Sequence, residues 1–272
     1  MEKANNESSD VVYSCYHSLN RDGEHFVPQH ALSFQIAGSM VFTDGINEYS
    51  ATSGAFRLVR RNQLLKYTKQ PPEQGSFESL NFHLSQDMLK EFANIHHLKA
   101  EAHSLAKPVI DLKITPVLQS YLQSLLEYQK LGALNEQSLI DLKLKECLQF
   151  VLLANPELTN ILFDFSEPYK IDLEAFMVKN YHFNVRIDRF AYLTGRSLAT
   201  FKRDFQKIFQ TSPRQWLQER RLQEAHYLLA HKDQTASKVY LDLGFENLSH
   251  FSYSFKKLFG YPPSSISNSR IH

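Results

Sequence analysis

The chain has 272 residues, 43% of them hydrophobic, with 30 Lys+Arg against 29 Asp+Glu. That length suits two ordinary domains, the composition is that of a packed globular protein, and no apolar run approaches the roughly 18–20 residues that a membrane span needs. The balanced total hides an asymmetry: residues 1–170 hold 15 Lys+Arg and 20 Asp+Glu, a net −5, whereas residues 171–272 hold 15 and 9, a net +6. A basic C-terminal part beside an acidic N-terminal one suits a polyanion-binding module joined to a part that does not bind.

The chain opens on the polar, acidic segment MEKANNESSD, which lacks the basic and then apolar pattern of a secretory signal and is expected to fray. The protein is accordingly expected to stay in the cytoplasm. Cys15 and Cys147 lie far apart and outside any CxxC spacing. They are read as reduced thiols, with neither a disulfide framework nor a structural zinc site.

From Val11 to His83 short β-rich runs alternate with turn residues: VVYSCY, HALSFQIAG, SMVFTDG, EYSATSGAFRLVRR and ESLNFHL. This reads as a β-sandwich or small barrel. Thr43-Asp44-Gly45 signals a hairpin, and Gln70-Pro71-Pro72-Glu73-Gln74-Gly75 signals a loop that no strand accommodates. From Ser85 the pattern turns helical: a short segment over 86–94, then Pro116–Leu131 and Asn135–Ala154, separated by Gly132. Leu118, Leu122, Leu125 and Leu126 share a face of one helix, and Leu142, Leu144, Leu148, Val151 and Leu152 approximately share a face of the next. The pair forms a helical hairpin, which either covers the open side of the barrel or supplies a dimer interface. Asn155-Pro156 ends the second helix, and 157–170 reads as a connection. The chain thus divides into a domain over 1–160 with its helical hairpin at 116–154, a linker over 161–171, and a second domain over 172–272. The fold class is two-domain α+β, with an N-terminal β-barrel and an all-α C-terminal domain.

The C-terminal segments VRIDRFAYLTGRSLATFKRDFQKIF and TASKVYLDLGFENLSHFSYSFKKLF share an internal logic. In each, an apolar helix reaches a glycine that permits a positive φ, a polar turn follows, and a second helix sets aromatics four apart. In the first copy Ala191 is a small residue four before Gly195, and Phe201, Phe205 and Ile208 form the predicted core stripe. Ala199, Lys202, Arg203 and Gln206 then point outward. In the second, Leu248, Phe251, Phe255 and Leu258 form the stripe, with Ser249, His250, Tyr253, Lys256 and Lys257 outward. Such basic faces suit DNA reading in the major groove, phosphates through charge and base edges through bidentate bonds. Any helical bundle can place aromatics at i and i+4 with charges outside, and it is the repetition within one basic domain that favours recognition. Between the copies, Ser212 as N-cap and Pro213 at the first helical position start a helix expected to run to about Ala230. A rod of roughly 18 residues, about 27 Å long, could hold two recognition helices about one DNA turn apart, roughly 34 Å.

Arg221-Leu222, Ala225, Leu228-Leu229, Gly244-Phe245, Ser249, Phe251, Phe255-Lys256-Lys257, Phe259-Gly260 and Pro263 together resemble the AraC/XylS-type transcription regulators over about the last 100 residues. The resemblance implies two helix-turn-helix units joined by one long helix. It implies recognition helices over Ser197–Phe209 and Leu248–Phe259, and groove contacts by Ala199, Lys202, Arg203, Ser249, His250 and Tyr253. Three departures stand out: Tyr240 four before Gly244 where the family has a small residue, Ala199 with only a methyl to offer thymine, and Ser264-Ser265-Ile266 in place of a closing Tyr-Arg. The first unit is therefore expected to contribute more of the sequence reading. The N-terminal part resembles the cupin-like barrels of this family through its strand order and SGAFRLVRRN, without the His-x-His, Glu and later His of a metal cupin. His25, His30 and His83 are read as solvated or core histidines, and His96-His97 as a surface pair at a helix end.

These readings make the chain a DNA-binding transcription regulator, an activator, whose partners are double-stranded DNA and RNA polymerase. Dimerisation, effector sensing or both fall to the barrel, and a homodimer is expected. Control by a small-molecule effector and control by a regulatory protein such as an anti-activator are both open, and the abundance of Phe and Tyr leans slightly toward a protein partner or pure dimerisation. The alternative class is a cupin-type enzyme with a helical appendage; it needs a nucleophile motif, paired carboxylates or a phosphate loop, and the sequence offers none. No cofactor and no metal are expected.

Overall fold

The N-terminal part of the chain folds as antiparallel sheet with helices packed on it, and the C-terminal part as helix. Residues 10–21, 25–104, 106–232 and 234–268 are described by a computed structural model; most of the N-terminal segment expected to fray lies outside them. The chain divides into two units, residues 1–23 with 27–166, and residues 24–26 with 167–272.

The strands are β1 (Val11–Tyr16), β2 (Phe26–Val27), β3 (His30–Ala37), β4 (Ser39–Thr43), β5 (Glu48–Thr52), β6 (Phe56–Val59), β7 (Gln63–Leu64), β8 (Lys66–Gln70), β9 (Phe77–Leu84) and β10 (Val109–Asp111), all but Phe26 of β2 within the first unit. One sheet has the order β1-β9-β3-β6-β10 and another β5-β4-β8. Leu32 of β3 pairs with Phe82 of β9 on one side and Leu58 of β6 on the other, and all three are fully buried. The Asp44 turn joins β4 to β5, its carboxylate accepting from the Ile46 and Asn47 amides at 2.9 and 2.7 Å. This is the hairpin expected from Thr43-Asp44-Gly45. Strand β8 was not anticipated. It is an edge strand reading KYTKQ, and lysines suit an edge, where they oppose pairing with a further strand. The Lys69 ammonium lies 4.6 Å from the Tyr16 ring centre, and burial pulls its pKa down to about 8.

Helix α1 (Gln86–His96) is capped by Ser85, α2 (Pro116–Lys130) by Thr115 with Pro116 at its start, and α3 (Gln137–Ala154) follows a turn at Gly132. Leu118, Leu122 and Leu125 of α2 and Leu144, Leu148 and Val151 of α3 share one core with Leu32, Leu58, Leu80 and Phe82 of the five-stranded sheet. These leucines therefore cover the sheet. Leu142 departs from the expected stripe: it is 62% exposed, and Ile140 and Cys147 take the buried positions. The stretch read as a connection also differs, because a 3₁₀ turn at Pro156–Leu158 and the short α4 (Thr159–Leu162) bury Leu158, Ile161, Leu162 and Phe163 in the same core.

The second unit is helical: α5 (Leu173–Asn180), α6 (Ile187–Leu193), α7 (Leu198–Phe209), α8 (Pro213–His231), α9 (Ala236–Asp242), α10 (Leu248–Phe259) and α11 (Ser264–Asn268). The chain belongs to the two-domain α+β class expected. No helix among the described residues is long and apolar enough to cross a membrane.

Candidate nucleic-acid interface

The first helix-turn-helix is α6, the turn at 194–197, and α7. Gly195 carries a φ of +63°, and a β-carbon there would fall 2.2 Å from the Tyr169 carbonyl carbon and 2.4 Å from the Lys170 nitrogen. The turn therefore needs glycine both for its conformation and for the backbone lying against it. Arg196, with its side chain only 7% exposed, ties the turn down, donating to the carbonyls of Ile171 (3.0 Å) and Thr194 (2.7 Å) and to the Asp204 carboxylate (3.1 Å). That hydrogen bond, aided by Lys170 and Arg203, holds the Asp204 carboxyl below the usual carboxylate range. The Ser197 hydroxyl accepts from the Thr200 amide at 3.2 Å to start α7, and Gln210 closes it in the left-handed conformation.

The second helix-turn-helix repeats this plan in α9, the turn at Gly244, and α10. Gly244 has a φ of +77°, Asn247 caps α10 by accepting from the His250 amide at 2.7 Å, and Gly260 closes it in the left-handed conformation. An offset of 50 residues superimposes the two helices in register: Phe201 on Phe251, Phe205 on Phe255, Phe209 on Phe259. The four Phe at 201, 205, 251 and 255 are fully buried. The outer members of the expected stripes are not, since Ile208 is 42%, Leu248 38% and Leu258 44% exposed. Phe209 and Phe259, one residue further on, complete the aromatic rows: Phe209 packs 4.7 Å from Trp216 and Phe259 4.8 Å from His226, ring centre to ring centre.

All eight candidate residues, Ala199, Lys202, Arg203 and Gln206 on α7 and Ser249, His250, Tyr253 and Lys256 on α10, are exposed. Positions 199, 202, 203 and 206 follow the i, i+3, i+4, i+7 spacing of one helical face. The 50-residue register aligns them with Ser249, Ser252, Tyr253 and Lys256. Half-buried Ser252 was therefore overlooked, and the offset alone would have found it. His250 stands one position off this row, in the first turn of α10. The α7 face thus offers two cations and an amide. The α10 face offers one cation, a phenol and hydroxyls.

Helix α8, 19 residues long and so about 28 Å, lies between the two in sequence. Ser212 accepts from the Gln215 amide at 3.3 Å and Pro213 occupies the first turn. Leu222, Ala225 and Leu229 on α8 share a core with Val239, Leu243, Phe245, Phe251 and Phe255. Tyr240, the departure from the small residue expected, is half-buried against this same cluster. Trp216 is half-buried.

The remaining histidines occupy separate places. His30 is buried, its Nδ1 accepting from the Arg61 amide at 3.2 Å. Burial, with Arg61 and Arg60 nearby, lowers its pKa to about 3. Burial likewise lowers the pKa of His83. His25 belongs to the helical unit, its Nδ1 accepting from the Asn184 amide at 2.9 Å. His96 ends α1 and His97 caps it, both exposed. Among the described residues no group of three or more His, Cys, Asp or Glu is placed to hold a metal ion.

Comparison with known proteins matches two family models. A helix-turn-helix domain family matches residues 190–269, and the ExsA N-terminal regulatory domain family matches residues 30–165, half of the chain. The chain is 25% identical over 269 residues to the HTH-type transcriptional regulator ExsA of Pseudomonas aeruginosa, covering 97% of this chain and 95% of that one. It is 27% identical over 265 residues to the thermoregulatory protein LcrF of Yersinia pestis, covering 93% and 91%. It is 26% identical over 258 residues to the virulence regulon transcriptional activator VirF of Yersinia enterocolitica, covering 89% and 90%.

Proposed function

This chain belongs to the AraC/XylS-type transcription regulators, and from that premise we propose that α7 and α10 enter successive major grooves on one side of a duplex. It is a DNA-binding transcription regulator; the roles of its individual side chains are what the proposal adds. Lys202, Arg203 and Gln206 read bases and clamp phosphates through α7. Ser249, His250, Tyr253 and Lys256, with Ser252 between them, make the second set of contacts through α10. Ala199 supplies a methyl group. The observation that carries this is the matched pair of capped 12-residue helices, each burying a row of phenylalanines and leaving its polar face uncovered. Arg and Lys can take guanine or phosphate, and Gln suits adenine, so α7 has the stronger reading chemistry.

The regulator acts as an activator, in keeping with the name of its VirF relative, and recruits RNA polymerase. It works in the cytoplasm as a homodimer, without enzymatic activity. The sheet-rich unit, whose family model is that of a regulatory domain, receives the control signal, either a small effector or a regulatory protein. The test is selection of genomic fragments with the full chain, followed by binding to the recovered duplex in a salt series. Binding tighter than to scrambled duplex by at least 10³-fold is expected of a specific regulator. Equal binding to every sequence contradicts the proposal.

A further inference from the structure

We propose that Arg221 is the positioning residue that locks the two helix-turn-helix units to each other, fixing the spacing and tilt of α7 against α10; this rests on the reading that both helices contact one duplex. Arg221 lies near the middle of α8. Its Nε donates to the Tyr181 carbonyl at 2.7 Å and its Nη2 to the Phe183 carbonyl at 2.8 Å. Both carbonyls belong to the bend between α5 and α6, which leads into the first unit. Its Nη1 donates to the Gly244 carbonyl at 3.0 Å, in the turn of the second unit. One rigid planar group thus ties the turn of the second unit to the bend that leads into the first, and its fork fixes the directions of all three bonds at once.

The same junction is close-packed beside the guanidinium. A β-carbon on Gly244 would lie 2.8 Å from the His182 oxygen and 3.1 Å from the Asn184 nitrogen, with the Arg221 guanidinium carbon 3.4 Å away. The bend at 181–184 therefore rests on the turn glycine itself. Tyr181 adds a further seam: it packs against the core of the second unit, and the neighbouring Arg220 stacks 4.7 Å from its ring centre. Arg196, by contrast, bonds among the described residues to the first unit and its leading segment, so it shapes one turn where Arg221 joins two. Burial draws the Arg221 pKa down to about 10, which leaves it charged at neutral pH and bound to three carbonyl dipoles.

A residue that merely supports folding would weaken every form of DNA binding together. One that sets the relation of the units would spare contacts made through a single unit. The experiment uses the full chain with Arg221→Met and Arg221→Lys. Spin labels go on Lys207→Cys and Lys257→Cys, register partners away from the candidate faces, with Cys15→Ser; Cys147 is buried and its thiol is pushed up by burial. Pulsed electron resonance should give one narrow distance distribution for the parent and a broad one for Arg221→Met at unchanged helicity, with Arg221→Lys between. On the duplex selected by the parent chain, Arg221→Met should lose at least tenfold in affinity. On the same duplex with the segment protected by α10 scrambled, it should lose less than twofold. An unchanged distance distribution, equal losses on both duplexes, or collapse of helicity in both variants would overturn the inference. If the parent selects no duplex, the reading as a DNA-contacting pair fails, and the distance distribution still decides the role of Arg221.

Discussion

Gly195 lies against Tyr169 so closely that a β-carbon on the glycine would stand 2.2 Å from the tyrosine carbonyl carbon, backbone on backbone. Gly260 has a similarly positive φ of +86°, and a β-carbon there would meet nothing within 4 Å among the described residues. The two separate conformational strain from steric exclusion. Gly260→Ala should cost about 1–2 kcal/mol, the left-handed penalty of an L-residue. Gly195→Ala adds a backbone collision and should cost about 4 kcal/mol or more. Urea unfolding of both variants measures the difference; equal losses would mean that the segment at 169–170 moves aside freely.

Trp216 packs edge-on to Phe205 at 5.7 Å and against Phe209 at 4.7 Å, yet stays half-buried. Trp216→Ala should cost about 2 kcal/mol, below the roughly 3–5 kcal/mol of a fully buried aromatic. An unchanged urea midpoint would show that Phe209 alone closes the end of α7.

His30 gives the sheet-rich unit a pH dependence of definite sign. Its folded pKa of about 3, against an ordinary 6.5, follows from burial and from Arg61 and Arg60, with Asp164 opposing. Between those values the unfolded chain binds the proton and the folded one does not, so stability is complete above pH 6.5 and falls as pH drops below it, by about 1.4 kcal/mol per pH unit. His83, also lowered by burial, adds a slope of the same sign. His30→Asn, which keeps an acceptor for the Arg61 amide, should flatten the stability profile between pH 6.5 and 5. Parallel profiles for parent and variant would show that His30 takes up the proton without unfolding.

Arg203→Ala is expected to weaken binding to the selected duplex by about 1–3 kcal/mol and to relax preference at one base pair. Lys202→Ala, as the loss of a phosphate clamp, should lower affinity on all sequences alike and reduce the salt slope by about one. Base-by-base competition binding distinguishes them. A uniform loss for Arg203→Ala would assign it to phosphate.

Much of this architecture could be read from local chemistry. Ser212 and Pro213 mark the start of α8 in the sequence itself, so α8 lies within a residue or so of its expected bounds, and α7 and α10 lie as close to the bounds that the family resemblance implied. The edge strand β8 was missed because Lys66 and Lys69 interrupt its apolar pattern. Residues 157–165 were misread because Pro156 and Pro168 suggested a connection, although Leu158, Ile161, Leu162 and Phe163 reach the core. Ile208 and Leu258 were placed inside because each stands three after a buried phenylalanine. The larger rings of Phe209 and Phe259, four after, take that space instead. The bridging by Arg221 had no local signature, since its acceptors lie 40, 38 and 23 residues away along the chain.

Hydroxyl-radical footprinting of the full chain on its selected duplex tests the paired reading most directly. Two protected patches on one face of the helix, their centres about 10–10.5 base pairs apart, are expected, with the patch due to α7 lost in the Lys202→Ala, Arg203→Ala double variant. A single patch in the parent, or two patches on opposite faces, would contradict it.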